Sequence, residues 1–423
     1  MALTKLITDL IDGSLGTDWQ ATPKTADFTA VAGEGYFVNT TSAAITVTLP
    51  SSPSAGDEVT VVDYAGTADT NNITITSSDN INGAADDVFI NYERGAASIV
   101  YVDATQGWIA YNAANESGTS LSETVLSVDY VVVAGGGSGG KFYGGGGGAG
   151  GYRSSYASET SGGGSSSESS LILSTSTNYT VTVGAGGAAQ TTQDYGGNIG
   201  SNSVFSTIIS NGGGGGKSAS NNSADGGSGG GARYSQNPGG SGISTQGYDG
   251  GSATVGANYA QGGGGGAGGA GVDGTNSANG AGGVGAITSI ISTSNATTAS
   301  IGQISSSSLY FAGGGGGGYS SDYGLAGAAG GIGGGGAGST SSTAAATSGT
   351  SNTGGGGGGG GGWAATPGDS GAGGSGVVII RYPNTYTVTE TTSPSVLTFN
   401  TYTEGSDKVT VFTSGTNGTI QFS

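Results

Sequence analysis

Polar and apolar residues alternate in short runs over most of the first 115 positions. Tyr36-Phe37-Val38, Ile45-Thr46-Val47-Thr48-Leu49, Val59-Thr60-Val61-Val62, Ile73-Thr74-Ile75, Val88-Phe89-Ile90, Ser98-Ile99-Val100-Tyr101 and Trp108-Ile109-Ala110 each carry the two-residue period of a strand with one buried face. Turn residues separate them, Pro50, Pro53 and Gly56 at one junction and Asn80-Ile81-Asn82-Gly83 at another. Short strands spaced about 10–14 residues apart predict a small antiparallel β domain over 23–115. Ahead of it, Leu3, Leu6, Ile7, Leu10 and Ile11 fall at helical spacing opposite Asp9 and Asp12, and Gly13 can end the segment. So short a helix does not stand alone. Residues 1–22 therefore read either as a docking or trimerising segment or as a helix folded back on the β domain.

After a linker at 116–127 the pattern changes. Strands such as Val128-Asp129-Tyr130-Val131-Val132-Val133-Ala134, Tyr179-Thr180-Val181-Thr182-Val183 and Gly376-Val377-Val378-Ile379-Ile380-Arg381-Tyr382 are interleaved with blocks of glycine, nine in a row at 354–362 and six at 313–318. A glycine fixed in regular structure costs roughly 0.5–1 kcal/mol relative to alanine, so such blocks point to backbones that approach too closely for any Cβ. A collagen helix is excluded, because there is no strict Gly-X-Y period and only 7 prolines accompany the 95 glycines. What remains is a bundle of polyglycine-II-like helices. Each makes no internal hydrogen bond, so every N–H and C=O must find a neighbouring segment or water. The interleaved strands argue against a flexible linker. Past Pro383, Tyr386-Thr387-Val388-Thr389, Val396-Leu397-Thr398-Phe399, Val409-Thr410-Val411-Phe412 and Thr419-Ile420-Gln421-Phe422 form a strand-rich segment too short for its own core, which must pair with another domain or subunit. The chain as a whole is expected to be mainly β: the antiparallel domain, a glycine-rich domain over 128–383, a short β segment over 384–423, and no extensive α-helix.

Composition narrows the function. Most of the formal charge of −19 lies in the first 128 residues, and no segment gathers the Lys and Arg needed to neutralise nucleic-acid phosphates. There is no Cys and no His, which removes disulfides, Cys/His metal sites and the usual nucleophile–His arrangements. Met1-Ala2-Leu3-Thr4-Lys5-Leu6-Ile7 lacks a signal-peptide core, and no later run approaches 18 apolar residues. Synthesis and assembly in a cytoplasm are expected, with release by another route such as lysis.

Several spellings resemble chemistry without its context. Asn211-Gly212-Gly213-Gly214-Gly215-Gly216-Lys217-Ser218 approaches a phosphate-binding loop, but Asn211 replaces the first glycine and no helix start follows. Gly226-Gly227-Ser228-Gly229-Gly230 spells a nucleophile elbow whose Ser228 has no histidine to activate it. Asp249, Asp273 and Asp369 sit beside glycine as in Ca²⁺-binding solenoids, without their period. No catalytic, cofactor or metal residue is assigned, and no enzyme is expected. The aromatics Tyr143, Tyr152, Tyr195, Tyr234, Tyr319, Tyr323 and Trp363 flank glycine blocks at their expected ends. They either cap the ends of the glycine helices or contact a receptor.

Tyr130-Val131-Val132-Val133-Ala134-Gly135-Gly136-Gly137, the later Ala149-Gly150-Gly151-Tyr152-Arg153, Val183-Gly184-Ala185-Gly186-Gly187, Leu309-Tyr310-Phe311-Ala312 before its six glycines, and Gly376-Val377-Val378-Ile379-Ile380-Arg381-Tyr382 together resemble the glycine-rich domain of tail-fibre and receptor-recognition (adhesin) proteins of marine and other tailed phages. Residues 34–112 are similar to a β domain that recurs in marine myophage fibres. The resemblance implies an elongated, usually trimeric appendage that contacts a host surface or decorates a virion, and it supplies no catalytic residue. The expected function is thus a virion structural and host-surface-binding protein. It would be homotrimeric, joined to other virion proteins through its N-terminal segment, directed at a cell-surface glycan or outer-membrane protein, and neither membrane-inserted nor bound to nucleic acid. The alternative is a purely architectural fibre, filament or decoration subunit with no specific receptor.

Overall fold

A computed structural model describes residues 17–114, 125–175, 177–219, 224–234, 238–254, 259–320 and 324–423. The helix expected near the N-terminus falls outside them. The chain divides into two compact units between residues 124 and 125.

The first unit holds strands β1 (Asp18–Lys24), β2 (Phe28–Thr29), β3 (Glu34–Val38), β4 (Ile45–Thr48), β5 (Glu58–Asp63), β6 (Ile73–Thr76), β7 (Val88–Ile90), β8 (Ala96–Asp103) and β9 (Gly107–Ala114). They form two sheets, β1-β3-β5-β8-β9 and β2-β4-β6-β7. The alternation read from the sequence is what builds the core between them. Tyr36 and Val38, Ile45 and Val47, Val59 and Val61, and Ile73 and Ile75 all point inward onto Ile99 and Trp108. The expectation of an antiparallel domain needs correction: β1–β3, β3–β5, β2–β4 and β4–β6 run parallel, and only β5–β8, β8–β9 and β6–β7 are antiparallel. The chain crosses to the other sheet after each of its first strands and returns after the next. Two reversals separate neighbours within one sheet, so they point the same way, as in the coils of a solenoid. Buried Asp63 holds one crossing. Its carboxylate accepts from the backbone N–H groups of Ala65, Gly66, Ala68 and Arg94 at 3.1–3.3 Å.

The second unit is a layered β base from which a glycine bundle rises. Its strands are β10 (Val125–Val133), β11 (Tyr152–Ser154), β12 (Leu171–Ser174), β13 (Tyr179–Thr182), β14 (Ser203–Phe205), β15 (Ile208–Ser210), β16 (Ala286–Thr288), β17 (Gln303–Ser305), β18 (Ser308–Phe311), β19 (Val377–Pro383), β20 (Val388–Glu390), β21 (Thr398–Glu404), β22 (Asp407–Ser414) and β23 (Gly418–Phe422). A central sheet β11-β10-β19-β22-β21 is covered on both faces. On one side Val128, Tyr130, Val132, Val378, Ile380 and Phe412 meet Val181, Phe205, Ile420 and Phe422 of the sheet β15-β14-β13-β23-β20. On the other, Val131, Val133, Val377, Ile379, Val409 and Val411 meet Leu309 and Phe311 of β16-β18-β17. Helix α1 (Thr293–Ala299), capped by the Ser292 hydroxyl, covers the same side through Ala296. Burial on both faces explains why β10 and β19 read as continuous apolar runs rather than alternating ones. The strands after Pro383 find their partners here, β22 against β19 and β23 against β13.

From the base the glycine runs leave as extended segments whose hydrogen bonds leave the segment every time. Residues 354–361 show the rule. Gly357 and Gly360 donate to Gly137 and Gly140, Gly356 and Gly359 to Gly313 and Gly316, and Gly358 to Thr347, at 2.8–3.0 Å. Their carbonyls accept in the same rhythm: those of Gly354 and Gly357 from Gly150 and Gly147, those of Gly355 and Gly358 from Gly374 and Gly371, and those of Gly356 and Gly359 from Gly336 and Ser339. Partners repeat every third residue because the polyproline-II turn holds three residues. One central segment is thereby bonded to six neighbours, the coordination of a hexagonal lattice. The closeness is steric: a Cβ built on Gly358 would lie 1.9 Å from the Ala337 carbonyl oxygen. On peripheral segments the outward third of the positions carries side chains, as at the half-buried Asp369, Ala372 and Ser375.

Candidate functional site

The segments run back and forth between the β base and a common far end. Residues 134–141 leave directly from β10, the chain turns at Phe142-Tyr143, and residues 144–151 return into β11. Eight residues at roughly 3.1 Å each put that turn about 25 Å from the base. To join adjacent lattice positions it takes both residues left-handed, with φ of 64° and 53°, a conformation that side-chain-bearing residues rarely adopt. Neighbours hold it there. The Tyr143 N–H donates to the Gly361 carbonyl, the Ser218 hydroxyl to that of Lys141, and the Lys141 N–H to that of Tyr195.

An aromatic cluster closes over this end. Tyr143 packs against Phe142, Tyr234 and Tyr259 with ring centroids 4.9, 5.8 and 6.3 Å away, and Tyr234 lies 4.3 Å from Tyr259. The Arg233 guanidinium sits over Tyr234 at 4.5 Å and over Phe142 at 5.9 Å. Phe142 and Tyr143 are buried, whereas Trp363, 6.2 Å from Phe142, is 72% exposed. Beside them buried Lys141 donates from Nζ to Asp369 Oδ1 at 2.6 Å and to the Thr191 carbonyl at 2.8 Å. Tyr195, 47% exposed, and half-buried Tyr319 lie on loops of the same end.

Five of the expected aromatics, Tyr143, Tyr195, Tyr234, Tyr319 and Trp363, thus converge on one tip from distant parts of the chain. Tyr323 falls outside the described residues. Tyr152 is removed from the set: it is the first residue of β11, fully buried in the base beside Val131, Val133 and Phe311, where nothing outside the chain reaches it. Phe142, Arg233 and Tyr259 were missed, although Lys141-Phe142 and Tyr259 also stand beside glycine blocks. The phosphate-loop spelling is resolved as lattice: residues 212–216 are an extended segment bonded to Gly135, Ser138 and Ser228, and the Lys217 ammonium donates to the Pro238 carbonyl. Ser228 is wholly buried within the bundle. Among the described residues no group of three or more carboxylates is placed to hold a metal ion, and no helix is long and apolar enough to cross a membrane.

A family profile described as a glycine-rich domain matches residues 112–383. The chain belongs to this glycine-rich domain family. The match covers the bundle with β10 through β19, and the strands that complete the base, β20 to β23, follow it. No curated protein matches the sequence. The glycine-packed interior of the bundle leaves little room for side chains, so the polar and aromatic groups of this domain lie at the tip, on the outer segments and in the base. A second polar knot lies in that base. Arg153 grips Glu168 through Nε at 2.8 Å and through Nη2, and Tyr130 and Ser161 donate hydroxyls to the same carboxylate. Burial pushes the Glu168 carboxyl up, but the Arg153 fork and the two hydroxyls outweigh it and hold the group below the usual carboxylate range.

Proposed function

We propose that this protein is a structural and host-surface-binding component of a phage particle, a tail fibre or receptor-recognition adhesin, whose glycine-rich domain carries its contact surface on the tip loops. One observation supports the reading above the others: a close-packed, glycine-filled bundle brings loops from residues 141 to 368 to one end and sets aromatic rings among Ser, Thr, Asn and Gln there. Loops on a rigid scaffold vary without cost to the core, which suits recognition of changing surfaces. The lattice supplies that rigidity through hydrogen bonds contributing about 0.5–1.5 kcal/mol each, repeated along every segment. The role is binding and architecture rather than catalysis, exercised outside the cell after assembly in the host cytoplasm.

Fluorescently labelled protein should be retained saturably on the envelopes of a subset of bacterial strains. Replacing Tyr195 and Tyr319 together with Ala should weaken retention and leave the melting curve unchanged. Retention by no strain, with continuous filaments rather than discrete clubs in electron micrographs, would leave the purely architectural reading in its place.

A further inference from the structure

Trp363 is the most exposed large apolar side chain among the described residues, and both ends of its loop are tied to the bundle. The Gly361 carbonyl accepts from the Tyr143 N–H, the Gly368 N–H donates to the Ser342 carbonyl, and Pro367 between them is buried. The indole lies against Phe142 at a ring angle of 47°, so it is backed on one side and open to water over most of its surface. At the foot of the same loop is the Lys141–Asp369 pair, with the Asp369 side chain 45% exposed and the lysine nearly covered. Gln190 and Thr191 border it on one side, where Gln190 and Ser370 exchange backbone and hydroxyl hydrogen bonds, and Ser342 accepts from the preceding Gly368 on the other.

Resting on the receptor-binding reading above, we propose that Trp363 is the stacking platform of a carbohydrate subsite, with Asp369 as its polar flank. A fixed indole presents a flat, electron-rich apolar face that matches the C–H face of a pyranose ring. The hydroxyls around the rim of such a sugar need acceptors and donors beside the ring, and Asp369 with the bordering Thr and Ser residues supplies them. A protein partner calls for different surroundings, because an aromatic hot spot is sealed from water by apolar neighbours. At the tip such neighbours are largely covered: Phe142 and Tyr143 are buried, Tyr234, Tyr259 and Tyr319 are half-buried, and among the described residues the strongly exposed rings there are Trp363 and Tyr195. Trp363 and Asp369 therefore select a hexopyranose chain of the kind found in bacterial lipopolysaccharide, capsule or secreted polysaccharide.

The test uses the full chain on immobilised purified bacterial lipopolysaccharides, capsular polysaccharides and exopolysaccharides, with purified outer-membrane proteins in parallel. At least one polysaccharide should retain the parent protein. Trp363→Ala should weaken that binding at least tenfold, Trp363→Phe should keep most of it, and Asp369→Asn should lower it while altering preference among the polysaccharides. Both Trp363 variants should melt with the parent, since Trp363 contributes little buried surface, whereas Asp369→Asn removes the charge facing buried Lys141 and should melt lower. Parent protein held by outer-membrane proteins and by no polysaccharide would overturn the inference and leave receptor binding standing. So would polysaccharide binding undiminished in Trp363→Ala. Retention on neither kind of surface, nor on whole cells, would remove both readings.

Discussion

Gly358→Val tests the lattice at the middle of its longest glycine run. The Cβ alone would stand 1.9 Å from the Ala337 oxygen, 2.4 Å from its carbonyl carbon and 2.9 Å from the Gly338 nitrogen, about 1.5 Å short of ordinary van der Waals contact with that oxygen. All three atoms are backbone, so no rotamer change relieves the clash. The segment 334–339 must be displaced, and with it the bonds from Gly336 to Gly356 and from Ser339 to Gly359. Overpacking of a filled interior costs about 1–3 kcal/mol, and two strained lattice bonds add about 0.5–1.5 kcal/mol each. At roughly 2–4 °C per kcal/mol for a unit of this size, the glycine-rich unit should melt at least about 4 °C lower. Ala345→Val is the control, because that alanine lies on the neighbouring segment with its side chain exposed. Gly349 looks equally harmless from its Ser/Thr/Ala surroundings and is not, since a Cβ there would lie 2.2 Å from the Gly355 oxygen. Calorimetry of parent, Gly358→Val and Ala345→Val decides the matter. Superimposable melting of all three would mean that the nine-glycine run is a tether, and the packed bundle would have to be abandoned.

The base and the acid response give further tests. Tyr152→Ala empties a buried site of the base and should cost about 3–5 kcal/mol, seen as early melting with surface binding intact below the transition, the reverse of the pattern expected for Trp363→Ala. Because the folded pKa of Glu168 is depressed, its stabilisation is present above the ordinary carboxylate range and lost as pH falls through the folded value. Glu168→Gln should therefore melt below the parent at pH 7, with the gap closing as the pH is lowered through the carboxylate range; a gap independent of pH would refute a role for the charge. The strands after Pro383 pair within their own chain and offer no support for a trimer, so the trimer proposed for this protein rests on the N-terminal segment. Light scattering of the full chain should give three times the 40.0 kDa chain mass, falling to one after removal of residues 1–16; a monomeric full chain would end the trimer reading.

Local chemistry along the sequence determined the kinds of element. Two-residue alternation marked Ile45 to Thr48 and Ile73 to Thr76 as strands because one face of each had to be buried, and the cost of fixed glycine marked 354–362 as steric rather than idle. The spacing of side chains on Asp369, Ala372 and Ser375 is legible in the same way, since three residues per turn return every third position to the outside. Who pairs with whom was decided only in three dimensions. Alternation gives a strand its faces but not its direction, so the parallel coils of the first unit could not be read from it. A polyglycine helix has no internal hydrogen bonds and no side chains to set a register. Nothing in nine identical residues says that Gly358 donates to Thr347 and accepts from Gly371. The same lack of local information hid the difference between Tyr152 and Tyr143, each beside a glycine block: one begins a strand in the core, the other turns the chain at the far end. Only the length and direction of the segments between them separate base from tip.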